Sequence, residues 1–525
     1  MVMPLDDYFL TSLPLIEGCE VVPLIDGLSY FEDLRTELDA LTGQEGEGVL
    51  IAGWWMEANF ELSGGTGALR YLLEEKKRSG VDVRVLVWAS DTVLGHEVGL
   101  ARVVTDIALA LGTDMYDDIQ TQNLESVRDL RFGLLANSVI VNTLDHPLGS
   151  SHVKMVVIFR TGHAVAYTGG LDLQSFRKDA YPHTSHYPDP GWHDVQAKLK
   201  GPAVQPMYDA FRDMWNELVT RADSQPASNP AFVVFDTDLG LPNGFEPSLH
   251  ELRAVPDGAE YLPARMLSGG QVGTQIVQSL RTIPDMASPP LLSLERRLSF
   301  AHSPDGDHEI RNALAQAISC AREFIYVEDQ GMYSRDLLAL LNAAIKQNSA
   351  LKLVMLIPGV PDPEDPQALL LNDSMRGVMS ERLLQGLSAG QLKQILLCQL
   401  TGVVVHSKTW IIDDCWALIG SANMTNRSMY VDLEHSVAFG DRAVDSAVKQ
   451  YRIALWAEHF DITAVTSIEL IGDLPIALSF WNPGIWGPAP PAALLPDRIV
   501  RLPLPVLADP VGSIFKTFDD PGELP

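Results

Sequence analysis

Two distant segments of this chain carry the same polar pattern inside apolar strands, and that repetition limits the fold more than any other feature. The later segment, VVVHSKTWIIDDCWALIGSAN, holds His406, Lys408, Asp413, Gly420, Ser421 and Asn423. The earlier one, SHVKMVVIFRTGHAVAYTGGLD, holds His152, Lys154, Gly169, Gly170 and Asp172. A histidine and a lysine two apart on a strand project from the same face. The residues that follow each lysine are apolar, so each strand is expected to be buried, with its polar residues aimed at something specific. One such strand reads most simply as a satisfied ion pair. Two copies, each hairpin ending in Gly-Gly or Gly-Ser, point to a site. The copies differ in two respects: Phe159 stands where the later copy has Asp413, and the first hairpin loop is three residues longer.

The surroundings repeat as well. GVLIAGWWME reads as a buried strand, LRYLLEEKKRSG as a helix with Leu69, Leu72 and Leu73 at helical spacing, and VDVRVLVW as a further strand. The later half follows the same script in FIYVEDQ, RDLLALLNAAIKQN and LKLVMLIPG. Strand, helix, strand, then hairpin, given twice, predicts an α/β fold of two similar lobes, each a mixed sheet flanked by helices and related by a pseudo-twofold axis. The expected divisions are a first lobe over 1–220, a connector over 221–262 rich in turn-formers, a second lobe over 263–465 and a Pro-rich arm over 466–525. Eleven of the 34 prolines fall in that arm, so it is expected to lie extended over the body through Phe480, Trp481 and Trp486.

The formal charge of −30 argues against a general nucleic-acid binder or an electrostatic binder of anionic membranes. A local basic pocket for one phosphate is compatible with it. Cys19, Cys320, Cys398 and Cys415 lie far apart and form no C-x-x-C pair, which suits small buried residues in a reducing compartment. The first residues lack a basic stretch followed by a continuous apolar run, and the sequence holds no 18-residue uncharged apolar stretch. A cytoplasmic protein is the default expectation, with signal-independent secretion left open.

The duplicated H-x-K pattern, together with TGGLDL, GWHDVQAKLKGPAV, FIYVEDQ, VHSKTWIIDD and GSANMTNRSM, resembles the phospholipase D superfamily, and its eukaryotic-type members in particular, over roughly Gly48 to Glu458. The resemblance implies a phosphodiesterase that needs no metal or cofactor, with His152, Lys154, His406, Lys408 and Asp413 as the catalytic set. It implies that Gly169, Gly170, Asp172, Gly420, Ser421 and Asn423 border the substrate, and that Asp194 and Glu434 orient the histidines. It places the nucleophile at His152 and the acid–base group at His406. The implied substrate is a phospholipid reached by peripheral membrane contact, with no nucleic-acid partner and a monomer favoured. Phe159 departs from the family motif and leaves room for an inactive scaffold; a nuclease or a cardiolipin-synthase-like phosphatidyltransferase is the enzymatic alternative.

Other clusters receive plainer readings. His183, His186 and His193 in HTSHYPDPGWH sit in a Pro-rich loop and are not assigned to a metal. Trp54 and Trp55 are expected in the core. No Gly-rich nucleotide loop is present.

Overall fold

The computed structural model describes residues 3–62, 67–89, 113–146, 149–184, 190–224, 252, 254–267, 270–286, 299–332, 334–358, 377–443, 445–462, 469–491 and 498–505. Most of the 221–262 connector, His186 and the end of the Pro-rich arm lie outside them.

The first half contributes β1 (Ile16–Ile25), β2 (Gly48–Gly53), β3 (Asp82–Trp88), β4 (Val139–Asn142), β5 (Met155–Arg160), β6 (His163–Gly169), β7 (Gly191–His193) and β8 (Val195–Lys200). The second contributes β9 (Gln275–Ile283), β10 (Asp307–His308), β11 (Phe324–Glu328), β12 (Lys352–Leu356), β13 (Ile395–Leu400), β14 (Val403–Val405), β15 (Thr409–Ile412), β16 (Trp416–Gly420) and β17 (Glu434–Asp441), and β18 (Ile499–Leu502) comes from the Pro-rich arm. Among the described residues the two halves form one sixteen-stranded sheet. Its first half runs β4-β3-β2-β5-β6-β8-β1 and its second runs, from the joint outward, β9-β17-β16-β15-β11-β12-β13-β18. Each of the seven strands on the first side has a counterpart on the second, while β18 extends the second side's edge. β10, paired with β9 off this order, is the sixteenth strand, and β1 and β9 join the two sides antiparallel.

β2, β3 and β4 pair in parallel, as do β11, β12 and β13. Parallel neighbours need crossover connections, which the helices Leu69–Ser79, Thr113–Arg131 and Arg335–Gln347 help to supply. Strands covered on both faces are expected to be apolar throughout, and GVLIAG and FIYVE are buried over nearly their whole length. The helix Leu69–Ser79 stops at Gly80, whose φ of 109° is the left-handed conformation that closes a helix most easily with glycine.

The structure revises three expectations. The three extra residues of the first hairpin do not lengthen its turn. They extend the strands, since β5 and β6 are joined by Thr161 and Gly162 alone, whereas β15 and β16 are joined by three residues. The Pro-rich arm is not simply extended: it forms a helix, Leu474–Trp481, and then adds β18 to the edge of β13. Phe480 and Trp481 are buried, and Trp486 donates its indole N–H to Lys393 O at 2.7 Å. Finally, the N-terminal turn Leu5–Tyr8 packs against the second half, where Tyr8 and Phe9 join that core.

Phe159 has a structural counterpart across the duplication. It pairs with Gly48 in the β2–β5 register, while Asp413 stands opposite Phe324 at the same place in the second half. The aromatic ring thus sits on β5 in the first half and on β11, the counterpart of β2, in the second. A Cβ on Gly48 would lie 2.3 Å from Phe159 Cζ, and the ring is held from other sides by Tyr208 at 5.6 Å and by the Arg265 guanidinium at 4.9 Å.

Gly48→Ala is therefore expected to overpack this core and cost about 1–3 kcal/mol, seen as a lower urea midpoint. The same substitution in a Phe159→Leu background should cost clearly less; equal costs in the two backgrounds would contradict the packing argument.

Candidate active site

The two histidines stand where strands of the two halves meet. The backbone N–H of His152 donates to Leu433 O at 2.9 Å, and that of His406 donates to His193 O at 2.9 Å. β7 and β14 pair in parallel just before His406, and the Ser151–Leu433 bridge does the same just before His152. Each contact places a histidine beside the residue that follows its partner. His152 Nδ1 consequently lies 3.1 Å from Glu434 Oε1, and His406 Nδ1 lies 2.6 Å from Asp194 Oδ2. Each imidazole is held by a carboxylate from the opposite half.

The carboxylates are themselves fixed. Glu434 accepts from the Ser421 hydroxyl at 2.5 Å, and Asp194 accepts from the Val195 amide at 2.8 Å. Gly170 allows this approach, because a Cβ there would lie 2.0 Å from Asp194 Oδ1. Gly169 and Gly420 similarly face Gln196 with Val195 and Ser436, on the neighbouring strands. The geometry makes these three glycines spacers that bring the carboxylate strands close.

Both lysines are buried. Lys154 Nζ donates to His152 O at 3.2 Å and lies 3.4 Å from Asp172 Oδ2; Lys408 Nζ donates to His406 O. Asp172 uses its other oxygen to accept from the Trp54 and Trp55 amides at 3.1 and 2.9 Å, so it also fixes the end of β2. In the second half that duty belongs to Asp329 at the end of β11, which accepts from the Gly331 and Met424 amides. Asn423 Oδ1 is buried without a hydrogen-bond partner among the described residues.

Asp413 has a different place. Its carboxylate accepts from the amides of Arg322, Glu323 and Phe324 at 2.6–2.8 Å and from the Tyr8 hydroxyl at 2.8 Å. The length of β15 separates it from Lys408, roughly 16 Å at about 3.3 Å per residue. It clamps the start of β11 and the N-terminal turn, which corrects its expected grouping with the histidines and lysines.

The side chains packed around the histidines include groups that the sequence did not single out for this role. Trp54 meets the His152 ring edge-on at 5.0 Å between centroids and carries Lys154 over its own ring at 5.0 Å. Trp192 packs on His406 at 4.9 Å, and the Arg177 guanidinium stacks on Trp192 at 3.9 Å. Arg177 is buried, and its Nε and Nη1 have no hydrogen-bond partner among the described residues. Trp54 and Asp329 could have been suspected from their position just past the carboxyl ends of parallel strands, where α/β folds place ligands, and Trp192 from its adjacency to His193 and Asp194. Nothing in the local pattern marks Arg177.

Burial penalises every charge here. It pushes both imidazoles well below their ordinary range, aided by Lys154 for His152 and by Arg177 and Lys408 for His406. It lowers Lys154, brings Lys408 down to about 8, raises Asp194 and pushes Glu434 up to about 7. The site thus favours the neutral form of both imidazoles, with buried lysine and arginine side chains around them. Such an arrangement suits an anionic tetrahedral ligand, which would receive charge-assisted hydrogen bonds while leaving an imidazole nitrogen free to react.

Comparison with known proteins gives a consistent likeness. The family profile described as "Cardiolipin synthase, PLD-like domain" matches residues 314–456, which include the second histidine–lysine strand. Phospholipase D alpha 2 of Arabidopsis thaliana is 21% identical, over 85% of this chain and 66% of its own length. Phospholipase D alpha 1 of Brassica oleracea var. capitata is 22% identical, over 92% of this chain and 71% of its own length. The chain thus spans about two thirds of the length of these relatives. Among solved structures, phosphatidylserine synthase of Haemophilus influenzae aligns with a TM-score of 0.46 and 12% identity, covering 97% of this chain and 95% of that one. No helix among the described residues is long and apolar enough to cross a membrane.

The crossed pairing is directly testable. In protein labelled with nitrogen-15 at histidine, Glu434→Gln is expected to alter the ring-nitrogen signals of His152 and to leave those of His406 nearly unchanged. Asp194→Asn is expected to do the reverse. A change confined to the histidine of the same half would contradict the geometry.

Proposed function

Because the chain belongs to the phospholipase D superfamily, we propose that it is a phosphodiesterase acting on glycerophospholipids, which releases the head-group alcohol or passes the phosphatidyl group to another alcohol. The observation that carries this reading is the pair of buried histidines, each held by a carboxylate of the opposite half and each beside a buried lysine.

In this mechanism the phosphodiester sits between the halves, with Lys154 and Lys408 neutralising its equatorial oxygens as a metal ion does in other phosphoryl-transfer sites. His152 Nε2 attacks phosphorus with its lone pair while the bond to the leaving oxygen breaks, and His406 Nε2 gives its proton to that oxygen. Water or an alcohol then attacks the phosphohistidine, giving its proton back to His406 and freeing His152. The shorter Nδ1–carboxylate contact belongs to His406, at 2.6 Å, and this bond favours the imidazolium there once the phosphate's charge offsets the burial and cations that otherwise keep the ring neutral. That supports His406 as the acid and His152 as the nucleophile. Arg177 and Asn423 offer further donors and acceptors to the phosphate or its ester groups. The acidity of the chain weighs against a nucleic-acid substrate. The family profile's name favours transfer to an alcohol as the second reading, with the same chemistry and a different acceptor.

Phosphatidylcholine and phosphatidylethanolamine are the substrates to assay, beside a bis(p-nitrophenyl) phosphate control. Activity on the control alone would remove the lipid reading, and no activity on any of them would favour a binding scaffold. His406→Ala is expected to slow lipid cleavage by about 10²–10⁴-fold, yet to slow first release of p-nitrophenol, which needs little protonation, by less than about tenfold. Rapid quench of that variant should trap phosphate on His152. Phosphate mapped to His406 in the unaltered protein would reverse the two roles. Lys154→Met and Lys408→Met should each lower kcat by about 10²–10³-fold on either substrate, since both charges act on the phosphate rather than on the leaving group.

A further inference from the structure

A second cluster of titratable side chains lies behind His406 and takes no part in the chemistry just described. It gathers residues far apart in sequence. Asp26 comes from the turn after β1, His183 from the loop before β7, His193 from the end of β7, and Glu458 from the helix Ala447–His459 of the second half. One ligand-type atom from each lies within 4.8 Å of the other three. His193 Nδ1 is 3.0 Å from Asp26 Oδ1 and 3.0 Å from Glu458 Oε1; His183 Nε2 is 3.2 Å from Glu458 Oε1 and 3.7 Å from Asp26 Oδ2.

Without a metal each facing nitrogen can donate to one acid, His193 Nδ1 to Asp26 and His183 Nε2 to Glu458, and the four donor groups converge closely enough for one ion to replace both protons. A tetrahedral ion with bonds of about 2.0–2.2 Å sets its ligands roughly 3.3–3.6 Å apart, and one donor atom from each of the four residues lies within 4.8 Å of the others. In the metal-free chain the surrounding carboxylates hold both imidazoles above their ordinary range, so a divalent cation would take the place of the two protons on the facing nitrogens and leave the charge balance unchanged. The outer nitrogens are already occupied as metal-bound histidines require: His183 Nδ1 lies 3.3 Å from Asp179 Oδ2, and His193 Nε2 lies 3.1 Å from Glu328 Oε2. Glu328 is held in turn by His459 Nε2 at 2.7 Å. Asp26 and His183 also adopt positive φ, 65° and 63°, conformations that non-glycine residues take up only when the surroundings impose them. His183 and His193 are buried, while the Glu458 side chain keeps 11% of its surface exposed and leaves a way in.

We propose that Asp26, His183, His193 and Glu458 form a binding site for one divalent transition-metal ion, zinc by the mixed imidazole and carboxylate ligand set. The site is closed by four protein ligands, so its role is structural. It fastens three segments of the first half to one helix of the second, beside the Asp194 that holds His406. It is independent of the phosphodiesterase reading, and its test needs no substrate.

Full-length protein is purified without chelator, dialysed against zinc chloride and passed through gel filtration. Elemental analysis should then find one zinc per chain, with little in a His183→Ala/Glu458→Gln double variant. Stripping the metal from the unaltered protein should lower its Tm by on the order of 5 °C, and added zinc should restore it. Because misfolding of the double variant would also empty the site, the unaltered protein is separately loaded with cobalt(II). Intense visible bands of a four-coordinate ion support the site, and the weak spectrum of the hydrated ion overturns it. Zinc no higher than in the double variant, or stoichiometric calcium or magnesium instead, likewise overturns it.

Discussion

The site depends on one crossed arrangement: an imidazole from each half hydrogen-bonded to a carboxylate from the other. A buried imidazole needs its second nitrogen held if it is to keep one orientation and tautomer, and a buried carboxylate needs a donor. Satisfying both across the joint makes the two halves mutually necessary. The β1–β9 pairing, the β7–β14 ribbon and the Ser151–Leu433 bridge all serve to bring these partners into register. The glycines beside them owe their presence to the closeness of the carboxylate strands.

Much of this was readable in the chain. The repeated H-x-K pattern located both histidines and both lysines, and the recurring order of strand, helix and hairpin anticipated the matching strand orders of the two halves. Asp194 and Glu434 were visible as acids downstream of each motif, but which histidine each serves was not, because that depends on strands pairing across 200 and more residues. Asp413 fits the family motif, but spacing cannot tell a side chain that faces a ligand from one that caps a neighbouring strand, and here it caps the start of β11. Trp54, Trp192 and Arg177 were hidden differently. Large aromatic side chains look alike in a core and in a pocket wall, and a lone arginine gains meaning only from the ring it stacks on. The helix inside the Pro-rich arm was missed because prolines clustered after Trp481 were allowed to speak for the residues before it, although Pro475 suits the first turn of a helix.

The environment makes the same histidines chemically useful. Burial opposes protonation of both rings and the lysines reinforce it. A negatively charged ligand would reverse that balance for whichever ring is better supported by its carboxylate. Binding and readiness to donate a proton are then linked through the same charges, and no large rearrangement is needed to connect them.

The paired substitutions between the halves bear on how such a protein diverges. In a twofold homodimer every change is made twice, once in each copy, so a residue cannot cross from one strand to its neighbour in one subunit alone. A chain holding both copies escapes that rule. Gly48 with Phe159 fills the space that Phe324 fills opposite Asp413, and Asp172 does in one half what Asp329 does in the other. Each is a one-sided experiment that symmetry would have forbidden. The single continuous chain is therefore what permits the two imidazoles to stand in unequal surroundings, Trp54 against one and Trp192 with Arg177 against the other.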